Sequence, residues 1–289
     1  MQTAATAQLA LLLEVTATPK PGNVDRERDH DDLRFEQFMA GAVGARDGLV
    51  AMTDPSIGVG EAFERAVAGM GERAERNTQF GALLVLAPLV RAAAREDCTL
   101  DGDGDGDGDG DGVERVVADT TVADAAGFYR AFEHVDVAVR DPPEGMEPLD
   151  VRRGADAVPA LRERELTLSE VMERSADRDG VAREWVDGHE RVFRAARAIA
   201  DLDGPVPDRA AEVFLELLSR EPDTFVADTH GTGTAHSVMV RAQEAREGGP
   251  ELVRAFAESL VAEGVNPGTT ADLVAGALFV AMERDGVTP

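Results

Sequence analysis

The sequence predicts an all-α fold, a multi-helical single globular domain over residues 1–289, and three features carry that expectation. Ala, Leu, Glu and Arg dominate almost every ordered stretch, at the spacing of helix faces. Alternating patterns of β-branched and aromatic residues, the mark of strands, are scarce. Apolar residues make up 43% of the chain, enough to bury a core at this length.

The elements follow in order. Residues 2–16 read as a first helix, stopped by Pro19 and Pro21. Residues 31–53 read as a second, with Asp31 and Asp32 at its positive N-terminal end. A third spans about 60–76 and a fourth 78–95, with Pro88 placed to kink it. Residues 101–112 are six consecutive Asp-Gly pairs, where glycine freedom and carboxylate repulsion predict a flexible solvated loop. The tract lacks the ligand spacing and terminal Glu of a calcium loop. Helical patterns resume at 119–134, 167–175, 182–200, 208–220, 234–248, 250–263 and 269–284, while 134–167 is rich in Pro and Asp and hard to assign.

Charge narrows the function classes. Asp and Glu number 56 against 29 basic residues, a formal net charge of −27. Such self-repulsion is relieved by concentrated salt, whose Debye length is roughly 3 Å near molar strength, so a halophilic setting is expected. Nucleic acid and anionic membranes are poor partners for this surface. The longest apolar runs, 80–90 and 273–282, are too short to span a bilayer, and no signal-peptide pattern opens the chain. The cytoplasm is the expected compartment, and self-association into a homo-oligomer is compatible with all of this. The single cysteine, Cys98, excludes an internal disulfide and a cysteine-rich zinc site.

The segment 14–25, Glu-Val-Thr-Ala-Thr-Pro-Lys-Pro-Gly-Asn-Val-Asp, holds the only lysine of the chain, Lys20, between two prolines. A point charge on a stiff loop suits a polyphosphate, and the plain alternative is a helix terminator with a solvated lysine. Replacing Lys20 by Ala is expected to lower ATP affinity or turnover with little change in melting. The acidic run 25–32 beside it has the oxygen chemistry that holds Mg²⁺ on a nucleotide triphosphate, though acidic clusters abound here. Residues 77–81, Asn-Thr-Gln-Phe-Gly, open an apolar helix and suit capping or anion contact. The Asp228-Thr229 pair precedes a Gly-Thr-Gly-Thr stretch that is not a P-loop, and 266–273 is a turn entering a buried helix.

Together these blocks resemble the triphosphoribosyl-dephospho-CoA synthase family: residues 14–25; His30, Asp32 and Phe35; Asn77, Thr78 and Gly81; Asp228 and Thr229; and Pro267, Gly268, Ala271, Asp272 and Leu273. Two departures mark a divergent, archaeal-type branch. Gln79-Phe80 stands where the bacterial pattern has His-Lys, and Gly231-Thr-Gly-Thr-Ala stands where it has Arg-Gly-Gly. The resemblance implies transfer of the 5-triphosphoribosyl group of ATP to the 2′-hydroxyl of 3′-dephospho-CoA, with release of adenine. It implies nucleotide contacts at Lys20, Gly22, Asn77, Thr78, Gly81, Thr229 and Asp272. Asp25 and Asp32 are expected near Mg²⁺, and Asp228 or His30 in acid–base work. The competing expectations are a related ATP-dependent transferase acting on another coenzyme precursor, or a nucleotide-binding helical protein without catalysis.

Overall fold

A computed structural model describes residues 2–98, 100, 112–142 and 145–289. In chain order the helices are α1 (Gln2–Thr16), α2 (Phe35–Gly44), α3 (Arg46–Met52), α4 (Val59–Ala74), α5 (Phe80–Ala93), α6 (Gly112–Ala118) and α7 (Val122–Ala131). Two 3₁₀ segments, Glu147–Leu149 and Val151–Ala157, lead into α8 (Val158–Glu163) and α9 (Leu168–Ser175). Then come α10 (Gly180–Val186), α11 (Glu190–Asp201), α12 (Val206–Arg220) and α13 (Thr224–His230). The last three are α14 (Thr232–Gly248), α15 (Pro250–Ala262) and α16 (Gly268–Glu283). The described residues contain no strand, so the fold is all-α. None of these helices is long and apolar enough to cross a membrane.

The axis of the molecule is α16, apolar on every side and buried from Leu273 to Ala281. A helix apolar all round must be surrounded, and α1, α5, α11 and α12 pack about it. One continuous core cluster runs from Ala4 to Ala281 and joins the two ends of the chain. Each Leu or Phe fully buried there contributes roughly 1.5–3 kcal/mol. The second buried helix, α5, carries Pro88 in its interior as expected.

The differences from the sequence expectation have local causes. Residues 31–34 are not helical, because the carboxylate that serves the first turn of α2 is Asp29, whose Oδ1 accepts from Phe35 N at 2.8 Å. The long helix expected over 182–200 is two, broken at Gly188 and His189, both with φ of 63°. The seven residues of α13 fall in 221–233, where the sequence pattern assigns no helix; Asp223 caps them, accepting from Val226 N at 3.0 Å. The Asp-Gly tract lies outside the described residues except Gly112, which opens α6.

His189 has no exposed surface, and neither ring nitrogen has a well-formed hydrogen bond. Burial lowers its pKa to about 3, with only the Val85 backbone opposing. The unfolded chain takes up that proton near pH 6.5 and the folded chain does not. The imidazole therefore supports folding fully above pH 6.5, and the support fades toward pH 3 by about 1.4 kcal/mol per pH unit. In urea titrations across that range the stability difference between the native chain and His189→Asn, which keeps a residue tolerant of positive φ, should follow this slope.

Candidate active site

The loop after α1 is stiff, as its prolines require, but it turns inward. Lys20 has no exposed surface. Its Nζ donates to the carboxylate of Glu14 on the last turn of α1 and to Asn23 Oδ1 at 2.9 Å. Asn23 in turn donates to Asn266 Oδ1 at 2.8 Å, which rivets the loop to the turn before α16. Gly22 sits at φ +75°, and a Cβ there would lie 2.3 Å from the Val265 carbonyl oxygen, so only glycine lets the two turns touch. The ammonium is thus spent on a buried carboxylate that needs a cation, and the expectation that Lys20 is presented to a phosphate is corrected. Burial pushes the Glu14 carboxyl up, and Lys20 pulls it back.

The expected metal ligands do not fit an ion. Asp25 is fully buried, and its oxygens already accept from Thr18 Oγ1 at 2.8 Å, Lys20 N at 3.1 Å, Arg28 Nη1 at 3.2 Å and Glu27 N at 2.8 Å. Asp32 is solvent-exposed and 4.0 Å from Arg76. His30 holds the Gly22 carbonyl through Nε2 at 2.7 Å. None of Lys20, Gly22, Asp25, His30 and Asp32 lines a cavity next to the other motif blocks. Among the described residues no three metal-type side chains cluster.

What the remaining blocks build is a groove where the N-terminal ends of α5, α10, α13 and α16 converge beside α7. Its inner lobe, a cavity of about 200 Å³, is lined by Glu14, Asn77, Gly81, Asp179, Asp228 and Asp272 and by the aromatic wall Phe80, Phe128 and Phe132. Among the described residues no Lys or Arg lines it. The rings touch edge-on, Phe80 to Phe132 at 4.8 Å and Phe128 to Phe132 at 5.2 Å between centroids. Phe80, standing where a lysine was expected from the family pattern, therefore supplies an apolar wall. Thr78 reaches the lobe, but its Oγ1 is buried and a Cβ on Gly41 would come within 2.3 Å of it, so the hydroxyl points toward α2. Thr229 lies outside, exposed, its hydroxyl donating to the Phe225 carbonyl at 2.7 Å.

Helix ends fix the carboxylates. Asp179 caps α10, accepting from Val181 N at 2.8 Å and Ala182 N at 2.9 Å. Asp223 is buried and accepts from Thr270 N at 2.8 Å and Thr270 Oγ1 at 2.7 Å, clamping α13 to α16. The Ala82 backbone at the start of α5 lies close enough to Asp272 to pull its carboxyl down. The partial positive charge of these helix ends suits anions, yet the acids crowd one another. Burial pushes Asp272 well above the usual aspartate range, and Glu14, Asp223 and Asp179 push the same way. Asp228 on α13 is ion-paired with Arg140, but burial still raises its pKa. A Cβ on Gly81 would lie 2.0 Å from Asp272 Oδ2. Gly81→Ala should therefore displace this carboxylate, cut turnover at least tenfold and cost roughly 1–3 kcal/mol of stability through overpacking.

The groove continues outward into a second cavity of about 210 Å³ that shares Leu84, Phe128, Phe132, Asp179 and Asp228 with the inner lobe. Its own lining includes Tyr129, Leu149, Val171, Met172, Arg140, Arg174 and Arg178. Asp179 and Arg140, together with Glu14 as the partner of Lys20, are site residues that sequence reading did not single out. The only local signal was an Asp-Gly pair before an apolar run at 179–182, the pattern of an N-cap.

A solved structure shares this helical fold. The crystal structure of a proposed triphosphoribosyl-dephospho-CoA synthase from Archaeoglobus fulgidus matches with a TM-score of 0.66 and 25% identity, covering 84% of this chain and 97% of that one. No curated protein matches the chain. The family model for ATP:dephospho-CoA triphosphoribosyl transferase matches residues 1–288, and the chain belongs to that family.

Proposed function

We propose that this groove transfers the 5-triphosphoribosyl group of ATP to the 2′-hydroxyl of 3′-dephospho-CoA and releases adenine, as a soluble enzyme of the cytoplasm. The observation that carries the assignment is Asp228, a carboxylate with a raised pKa that lines both lobes of the groove. The reaction breaks the C1′–N9 bond of ATP and forms a bond from C1′ to the acceptor's 2′-oxygen. The hydroxyl loses a proton and adenine leaves with one. A base is therefore required where donor and acceptor meet, and Asp228 stands at that junction. Positive charge developing on the ribose is sustained by Asp179, the capping carboxylate that lines the inner lobe, while the buried carboxyl of Asp272 is pushed toward its neutral form. The adenine ring lies against Phe80, Phe128 and Phe132, where an aromatic base finds stacking partners.

A lobe lined by acids and without Lys or Arg does not neutralise a triphosphate by itself. Magnesium bound with ATP would supply that neutralisation, and Asp179 would hold it, with Asp272 joining once the cation offsets the burial that pushes its carboxyl up, since Mg²⁺ needs only one or two carboxylates alongside phosphate oxygens and water. Chelating Mg²⁺ with EDTA should abolish ATP use while leaving the melting curve in place.

The test is adenine release from ATP and Mg²⁺ with and without dephospho-CoA. Release that depends on dephospho-CoA, one adenine per acceptor modified, is the expected result. Release that ignores dephospho-CoA and requires another coenzyme precursor would transfer the assignment to a related acceptor. ATP binding without any release would refute catalysis.

A further inference from the structure

The outer lobe differs chemically from the inner one. Arg174 and Arg178 stand at its edge, and neither forms an ion pair among the described residues, although acids outnumber bases 56 to 29 in this chain. Arg174 donates from Nη1 only to the Glu170 carbonyl, at 2.9 Å, and Arg178 lies close enough to act on the charge of Asp228. Guanidinium groups left free in so acidic a protein, beside a cavity, suit a ligand that brings its own anion. Next to them runs an apolar strip of Tyr129, Leu149, Val171 and Met172, with the Tyr129 hydroxyl tied down on the Leu149 carbonyl at 2.8 Å.

We infer that this outer lobe is the acceptor site, with the 5′-diphosphate of dephospho-CoA on Arg174 and Arg178 and its pantetheine arm along the apolar strip. The inference rests on the reaction proposed above. ATP has no flexible arm to cover such a strip. The acceptor has one, attached through a diphosphate to the ribose whose 2′-hydroxyl must reach Asp228. Asp228 and Asp179 line both lobes, so an acceptor lying in the outer lobe places that ribose at the junction without entering the space that the donor needs. Arg174 and Arg178 are binding residues here, and the proton transfer stays with Asp228.

The test is the double variant Arg174→Gln, Arg178→Gln, both positions being exposed and tolerant of substitution. Two charge-assisted contacts should be lost, so KM for dephospho-CoA should rise at least tenfold, while KM for ATP stays within about twofold. The double Arg→Lys variant should recover part of the loss. Equilibrium binding of dephospho-CoA in the absence of ATP should weaken by the same ratio, and 4′-phosphopantetheine should compete with dephospho-CoA but not with ATP. A rise in KM for ATP instead would put the triphosphate on these arginines and overturn the inference, as would unchanged kinetics for both substrates. If the native protein binds dephospho-CoA through these arginines but releases no adenine, the acceptor site stands and the reaction proposed for the groove fails.

Discussion

Lys20→Met should destabilise the protein by about 3–5 kcal/mol, because it leaves the Glu14 carboxylate buried without its cation. At this chain length the expected fall in Tm is on the order of 10 °C. Burial already pushes the Glu14 carboxyl upward, and without Lys20 nothing comparable pulls it back. The folded variant will therefore hold a proton on Glu14 that the unfolded chain releases at lower pH. A raised folded pKa stabilises below the unfolded value and loses that benefit as pH rises, so the variant should be least stable at alkaline pH. Adding Glu14→Gln to Lys20→Met should recover most of the loss, since the double change leaves no buried charge. Calorimetry of the native protein and the two variants between pH 5 and 8, above the ordinary glutamate value of 4.5, separates this role from phosphate binding. A variant that melts normally but has a raised KM for ATP would return the ammonium to the substrate.

That outcome also shows where sequence reading stops. The first helix was legible to the residue, because Pro19 and Pro21 are helix-terminating signals that act locally. The constrained loop around Lys20 was legible for the same reason. The direction of its side chain was not, since that depends on Glu14 being buried and on Asn23 being held by Asn266, 243 residues away in sequence. Asn77, Gly81, Asp228 and Asp272 were recognisable as motif blocks, and they do meet in one groove. Asp179 was missed because in a chain with 56 acids one capping aspartate resembles the rest. The short α13 was missed because the glycines at 231 and 233 read as loop, while the cap that forms the helix, Asp223, gains its second set of partners from Thr270 on a distant element. Local signals sufficed for most of the helices but not for α13 or for the break between α10 and α11. Convergence of four helix ends did not have a local signal.

Asp228→Asn should lower the rate of adenine release by about 10²–10⁴-fold, the usual contribution of a positioned base. At 1.36 kcal/mol per factor of ten, that is roughly 3–5 kcal/mol of transition-state stabilisation. The amide keeps the size and an acceptor oxygen for Arg140, so the fold and the KM for ATP should survive. The pH profile is the sharper reading. Burial raises the Asp228 carboxyl above the ordinary value of 3.8 while Arg140 lowers it less strongly. A base works only when deprotonated, so the native rate should fall on the acid side through a pKa above 3.8, and the Asn variant should lack that limb. Arg140→Gln removes the opposing charge from the same carboxylate. It should move the acid limb to higher pH and slow the reaction at neutrality, with the rate recovering as the pH is raised. An acid limb that stays in place in both variants would assign the proton transfer to another group, with Asp272 the next carboxylate along the groove.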